Sequence, residues 1–429
     1  MTTEVASPRH LFGIYGHIHE RYVDDATFLW LLRDRAVNQP HYNVADLAEL
    51  DSRIDAQLDG LMTAPEESWH LCVNALELEQ PDAVFTAAVF AFRSLDSRYI
   101  QHAVEAGLVS DHTLRGLVSA MAWLPGRLVH SWIKKFLTSK DLNHKYLALA
   151  VCSARREDPR EYLTAIVQRS DCIAYTPLYI RALRLIGELK RFDLLHIVRN
   201  GMAADDKDVV FWATWSAILL GDKSLAKDLQ PYVLTPNPYQ SRAMALCFRV
   251  LPLETARGWI SVLAKDPLNN RLVVTATSLL GDPHAINWLI AQMRIPALTR
   301  LAGEAFATIT GIDLQEHKLI LEELPNLDDQ LPDDGAQNEE IDLSDDEYLP
   351  FPDVNKIAAI WQKYQQRYAP SQRYFMGQII NPSISVSEHL RTIFAIGQQR
   401  QRQNAALELA LLEPAHFLLN HAAKENQAS

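Results

Sequence analysis

Eight apolar stretches begin at residues 81, 111, 143, 176, 206, 238, 268 and 298, at intervals of 30 to 33 residues. A rhythm of that length constrains the fold more than any single motif, because it is the signature of stacked supersecondary units. Each stretch opens on Asp, Asn, Pro, Thr or Leu-Asn/Leu-Thr, residues of the kind that start helices. Each then carries small or apolar residues at helical spacing, as in Ala182, Leu185, Ile186 and Leu189. Several stop at glycine or proline punctuation, at Gly221, Gly281, Pro125 and Pro252. Second helices fit between them, over "LVHSWIKKFLTS", "PREYLTAIVQRS", "PLETARGWISVLAKD" and "DPHAINWLIAQM". One such helix pair cannot bury its apolar face alone, whereas stacked pairs can. The fold class expected is therefore all-α, an α-solenoid of about 30-residue helix pairs.

The flanks read as caps on that stack. "DDATFLWLLRDRAVN" is apolar nearly all round and implies a helix buried on several sides. Asn43 is placed to cap the next helix, and "EESWHLCVNALELEQ" makes another. After residue 355, "DVNKIAAIWQKYQQRYAP", "SEHLRTIFAIGQQR" and "QRQNAALELALLEP" predict three more helices. The expected organisation is a helical cap over 1–80, repeats over 81–318, an acidic and flexible linker over 319–355, and a second helical cap over 356–429.

The linker stands out by charge. The net charge of the chain is −12, but residues 319–355 hold 13 acids and no base, while residues 111–318 hold 26 bases against 19 acids. Residues 1–110 are acidic again, with 17 acids against 7 bases. A stretch such as "PDDGAQNEEIDLSDDEYLPFPD", from Pro332 to Asp353, cannot build a core and reads as solvated. It could keep the molecule soluble, lie against the basic body, or hold a basic partner. Its carboxylates do not follow the alternation and terminal Glu of an EF-hand calcium loop.

The chain resembles a known family in several places. Its helix pairs are similar to HEAT-like repeats of the phycobilisome-lyase type. The stretch "FLWLLRDRAVNQPHYNVADLAELDSRIDAQLDGL" from Phe28, with "LPFPD" (349–353), "SQRYFMGQ" (371–378) and "RQNAALELALLEP" (402–414), resembles the hallmark segments of a bacterial HEAT-like repeat family often encoded beside type VI secretion genes. The likeness spans almost the whole chain. It implies a setting rather than a chemistry, since no catalytic residues are assigned in that family.

Chemical motifs do not supply an activity. No dinucleotide fingerprint, phosphate loop, nucleophile elbow or HExxH occurs. "GDKS" at 221–224 reads as a helix stop followed by a helix start. His17 and His19 in "GHIHER" would face one side of an extended segment, but no third metal ligand is indicated. No metal, cofactor or catalytic residue is expected. Cys72, Cys152, Cys172 and Cys247 have no paired spacing and read as buried apolar residues of a reducing, cytoplasmic compartment. The longest apolar run, "VVFWATWSAILL", is too short to cross a bilayer. No signal pattern is seen at the N-terminus.

The expected function is then a non-enzymatic protein-binding scaffold: a type VI secretion effector adaptor, chaperone or immunity protein. Candidate contact residues are His41 and Tyr42 in the turn "PHYN", which could equally form a staple and a turn. Others are the bases Lys134, Lys135, Arg160, Arg191, Arg199, Lys223, Lys227, Arg257 and Lys265, associated with second helices. Trp132, Trp259 and Trp288 recur near the middle of second helices and read as packing between repeats rather than a ligand platform. A nucleic-acid-binding solenoid is the alternative, disfavoured by the overall negative charge. A small-molecule enzyme such as a lyase is another, for which no constellation is visible.

Overall fold

The computed structural model describes residues 16–322 and 346–424. Residues 323–345, which hold most of the acidic stretch, lie outside them. Helices dominate, with one short hairpin as the exception among the described residues. Two compact units are distinguished, Met1–Asn38 with Tyr42–Ser216 and Phe417–Ser429, and Gln39–His41 with Ala217–His416.

The first unit begins with α1 (Gly16–Ala36), α2 (Val44–Leu61) and α3 (Pro65–Leu76). Then follow α4 (Pro81–Ser94), α5 (Ser97–Gly107), α6 (Asp111–Trp123), α7 (Gly126–Thr138), α8 (Leu142–Arg155), α9 (Glu161–Gln168), α10 (Ser170–Ala174), α11 (Thr176–Glu188), α12 (Leu195–Met202) and the start of α13 (Lys207–Leu219). The helices formed by successive apolar stretches pack in order: α4 on α6, α6 on α8 and α8 on α11. All eight apolar stretches fold as helices, and the run in α13 is a buried helix.

Local chemistry sets many of these boundaries. Asn43 Oδ1 accepts from the Ala45 and Asp46 amides at 2.7 and 3.1 Å, and Asp46 accepts from the Asn43 amide in return. Ser110 and Thr113 form a similar box at the start of α6. The N-terminal helix α1 shares a core with α4 and α6. Trp30 of α1 stacks on Phe85 of α4, with ring centroids 5.2 Å apart, and its indole N–H donates to Ser119 of α6. From Ala83 to Phe92, α4 is buried along its whole length.

In the second unit, α14 (Gln230–Leu234), α15 (Gln240–Val250), α16 (Leu253–Leu263), α17 (Asn270–Leu280), α18 (Ile286–Gln292) and α19 (Thr299–Thr310) continue the pattern, with α15 on α17 and α17 on α19. Gly281 and Gly311 end α17 and α19 in the left-handed region, at φ 70° and 68°. After the linker come α20 (Val354–Tyr364), α21 (Ile384–Ile396) and α22 (Gln399–Leu412). Between α20 and α21 "SQRYFMGQ" forms the hairpin β1 (Tyr374–Phe375) and β2 (Gln378–Ile379), which no helical periodicity announces.

This hairpin satisfies the ends of α15, α17 and α19. The Tyr374 amide donates to Gly281 O at 2.7 Å and the Met376 amide to Thr308 O at 2.6 Å. Arg373 donates to the carbonyls of Arg249 and Leu280, at the ends of α15 and α17, and pairs with Glu408 of α22. Carbonyls at helix C-termini lack partners within the helix, and here one segment supplies them.

The described ends of the expected linker are pinned as well. Leu321 N donates to Phe351 O and Asp353 N to Leu319 O, at 2.9 and 2.7 Å. Asp346 is buried and paired with Arg271 of α17. Arg300 of α19 lies 4.1 Å from the centre of the Phe351 ring and donates to Glu347 O.

Candidate functional site

Several expected contact residues are exposed: Lys134 and Lys135 on α7, Arg160 before α9, Arg199 on α12, and Lys223, Lys227 and Lys265 in the second unit. Lys135 Nζ sits 4.1 Å from the centre of the Trp132 ring. Two of the bases are engaged internally instead. Arg191 bonds to Asp158, Asp193 and Thr164, and Arg257 to Asp282, Glu254 and Pro370 O. His41 lies 4.8 Å from the Tyr348 ring, and Tyr42 is half-buried beside its helix cap.

Other readings change on inspection. His17 and His19 are not on an extended segment but in the first turn of α1, where a two-residue step turns roughly 200° about the axis. His17 is exposed, while His19 is buried with Nε2 at 3.1 Å from Thr63 Oγ1. Of the three tryptophans, Trp259 is buried, Trp132 is half-buried against Phe92 and Phe136, and Trp288 faces solvent. All four cysteines are free and buried, and burial pushes the thiols of Cys72, Cys152 and Cys247 up to about 12. They are unreactive packing residues.

A dense polar cluster lies on α8 and α11 of the N-terminal unit. A cleft of about 320 Å³ opens between α6, α8, α11 and the segment around Asn420. Behind its lining residues Ser153, Arg156, Arg181 and Arg184 lies Glu188, which has no exposed surface. Arg181 Nη2 and Arg184 Nε each donate to this carboxylate at 2.8 Å, Ser153 Oγ donates at 2.5 Å, and Arg156 Nη1 lies 3.4 Å away. Burial pushes the Glu188 carboxyl up, but Arg181, Arg184, Arg156 and the Ser153 hydroxyl outweigh it and hold the group well below the ordinary carboxylate range. Burial also lowers Arg181 to about 10, against the pull of Glu188.

Helical geometry makes the cluster. Arg181, Arg184 and Glu188 fall at i, i+3 and i+7 and share one face of α11. Ser153 occupies the equivalent end of α8, and Arg156 follows in a left-handed cap at φ 55°. Tyr146, one face of α8 further back, lines the cleft with Leu114, Arg115 and Val118 of α6. Sequence reasoning placed the important bases on second helices and missed this group. The available signal was a charged triplet at helical spacing on an otherwise apolar helix.

Among the described residues, no group of three or more His, Cys, Asp or Glu side chains is placed to hold a metal ion. No described helix is long and apolar enough to cross a membrane. Comparison with protein-family models, curated proteins and solved structures finds no match.

Proposed function

We propose that the chain is a binding scaffold for another protein, built as an α-solenoid of HEAT-like helix pairs. The ordered packing of successive repeat helices within each unit supports the architecture. One observation carries the binding reading. Apolar side chains face solvent on consecutive helix pairs of the second unit. Val262 lies near the end of α16 and Leu268 in the turn after it, while Trp288 lies on α18 and Ile295 in the turn that follows. Leu268 is 91% exposed and Trp288 37%. The turns bearing Leu268 and Ile295 both pack on α17, and Arg271 Nη1 donates to Ala297 O at 2.8 Å. Grouped exposed apolar residues mark interaction surfaces, and tryptophan is the residue type most enriched at binding hot spots.

The setting we assign is the one implied by the family resemblance, a bacterial type VI secretion system. There the scaffold would serve as an effector adaptor, a chaperone or an immunity protein. The test is purification of the tagged full chain from its bacterium at low salt, beside a Leu268→Asp, Trp288→Ala variant of unchanged helicity. One stoichiometric protein should accompany the wild type, and its affinity for the variant should fall by roughly 30-fold or more. Identical proteins with both forms, or nucleic acid alone, would refute the reading. A toxin as the partner would select the immunity role, and a spike or sheath protein the adaptor role.

A further inference from the structure

We propose that the arginine-lined cleft of the N-terminal unit binds a phosphate dianion, either free or as the terminal monoester of a small molecule. The argument begins with unspent donors. Arg184 uses only Nε on Glu188, so its two Nη groups make no hydrogen bond among the described residues. Its guanidinium is held 4.8 Å from the centre of the Trp212 ring, which fixes its plane without consuming those donors. Arg181 spends Nη2 on Glu188 and Ser153, leaving Nη1. The hydroxyl of Tyr146, which lines the same cleft, has no hydrogen-bond partner among the described residues.

Charge points the same way. Three guanidinium groups surround the single carboxylate of Glu188, and side chains of Arg181 and Arg156 are only 11% and 13% exposed. A buried ion network built only for stability would be expected to balance its charges, because an uncompensated buried charge is costly. The excess over Glu188 is two positive charges, of which the Asp111 carboxylate that also lines the cleft offsets one, and a bound phosphate would neutralise the remainder. Guanidinium forks match the paired oxygens of phosphate, and the volume suits a small ligand rather than a peptide segment. The proposal concerns first-helix residues of the N-terminal unit and stands apart from the apolar surface of the second unit.

The test is calorimetric titration of the full chain with inorganic phosphate at pH 7.5, at ionic strength held constant with chloride. Glycerol 3-phosphate and succinate are titrated in parallel. Phosphate should bind saturably with Kd below about 1 mM. Arg184→Gln should weaken it about tenfold, since it removes charged donors. Tyr146→Phe should weaken it roughly threefold while leaving the fold intact, because that hydroxyl holds no internal bond. For the monoester, whose second ionisation lies near pH 6, affinity should also fall from pH 8 to 5.5 as the dianion is lost. Tighter binding of glycerol 3-phosphate would identify a monoester ligand, and tighter binding of inorganic phosphate the free ion. The proposal is overturned by no saturable binding up to about 20 mM phosphate, by equal binding in both variants, or by preference for succinate.

Discussion

Glu188 sits at the ends of two arginine side chains of its own helix and within reach of a third, Arg156, that caps α8. Desolvation alone would favour its neutral form, so its ionisation depends on those cations. Replacing it by Gln leaves the cations buried without their counter-charge. Glu188→Gln should therefore destabilise the N-terminal unit by about 3 kcal/mol or more at pH 7, read from urea unfolding. The pH dependence has a definite sign. The folded-state value is depressed, so the unfolded chain takes up the proton first on acidification. The contribution is fully present above the ordinary value of 4.5 and declines as pH falls below it. The stability gap between wild type and Glu188→Gln should thus narrow from pH 5 towards pH 3, whereas a constant gap would show that Glu188 gains nothing from its ionisation.

At the level of the helices, close approach is what distinguishes one repeat contact from another. A Cβ on Gly116 of α6 would lie 1.8 Å from Pro81 O and 3.1 Å from Phe85 N. These are backbone atoms of α4, a helix buried along its length, and they have nowhere to move. Gly116→Ala should cost roughly 3 kcal/mol or more through overpacking. Gly258 of α16 provides the opposite case, with no atom within 4 Å of its added Cβ. There the same substitution should stabilise the helix by up to about 1 kcal/mol. Thermal unfolding of the two variants separates the effects, and a destabilising Gly258→Ala would contradict this account of the helix contacts.

The whole chain is organised by contacts far apart in sequence. The segment 417–424 belongs to the N-terminal unit, although it follows α22 of the second. Its Leu418 amide donates to Glu188 O at 2.8 Å, and Asn420 Nδ2 donates to Ala154 O at 2.8 Å. Arg33 of α1 donates to Ala422 O, and Lys424 pairs with Asp55 of α2. These bonds satisfy groups on four helices of one unit, α1, α2, α8 and α11. Deleting residues 417–429 should lower the stability of that unit by about 2 kcal/mol or more. Hydrogen exchange should quicken at the ends of α8 and α11 and stay unchanged in α17 and α19. Unchanged protection throughout would remove the segment from the N-terminal core.

The order of helices and several of their ends were legible in the sequence because those signals are local. Apolar spacing reports a helical face within three turns, and Asn43 and Gly281 mark ends through bonds to residues a few positions away. The shortness of the apolar run in α13 likewise pointed to a buried helix, and α13 is buried. Tertiary structure decided what local spacing does not encode. It brought Arg156 and Ser153 to the face of α11 bearing Arg181 and Glu188, a repeat away in sequence, and it engaged Arg191 and Arg257 internally. It set Trp288 towards solvent and Trp259 inside, although both occupy similar places in their helices. It also folded "SQRYFMGQ" into a hairpin whose amides meet the open carbonyls of α17 and α19. A periodic pattern specifies which face of a helix is apolar, but the partner of each polar group depends on which neighbours the stacking brings within hydrogen-bond distance.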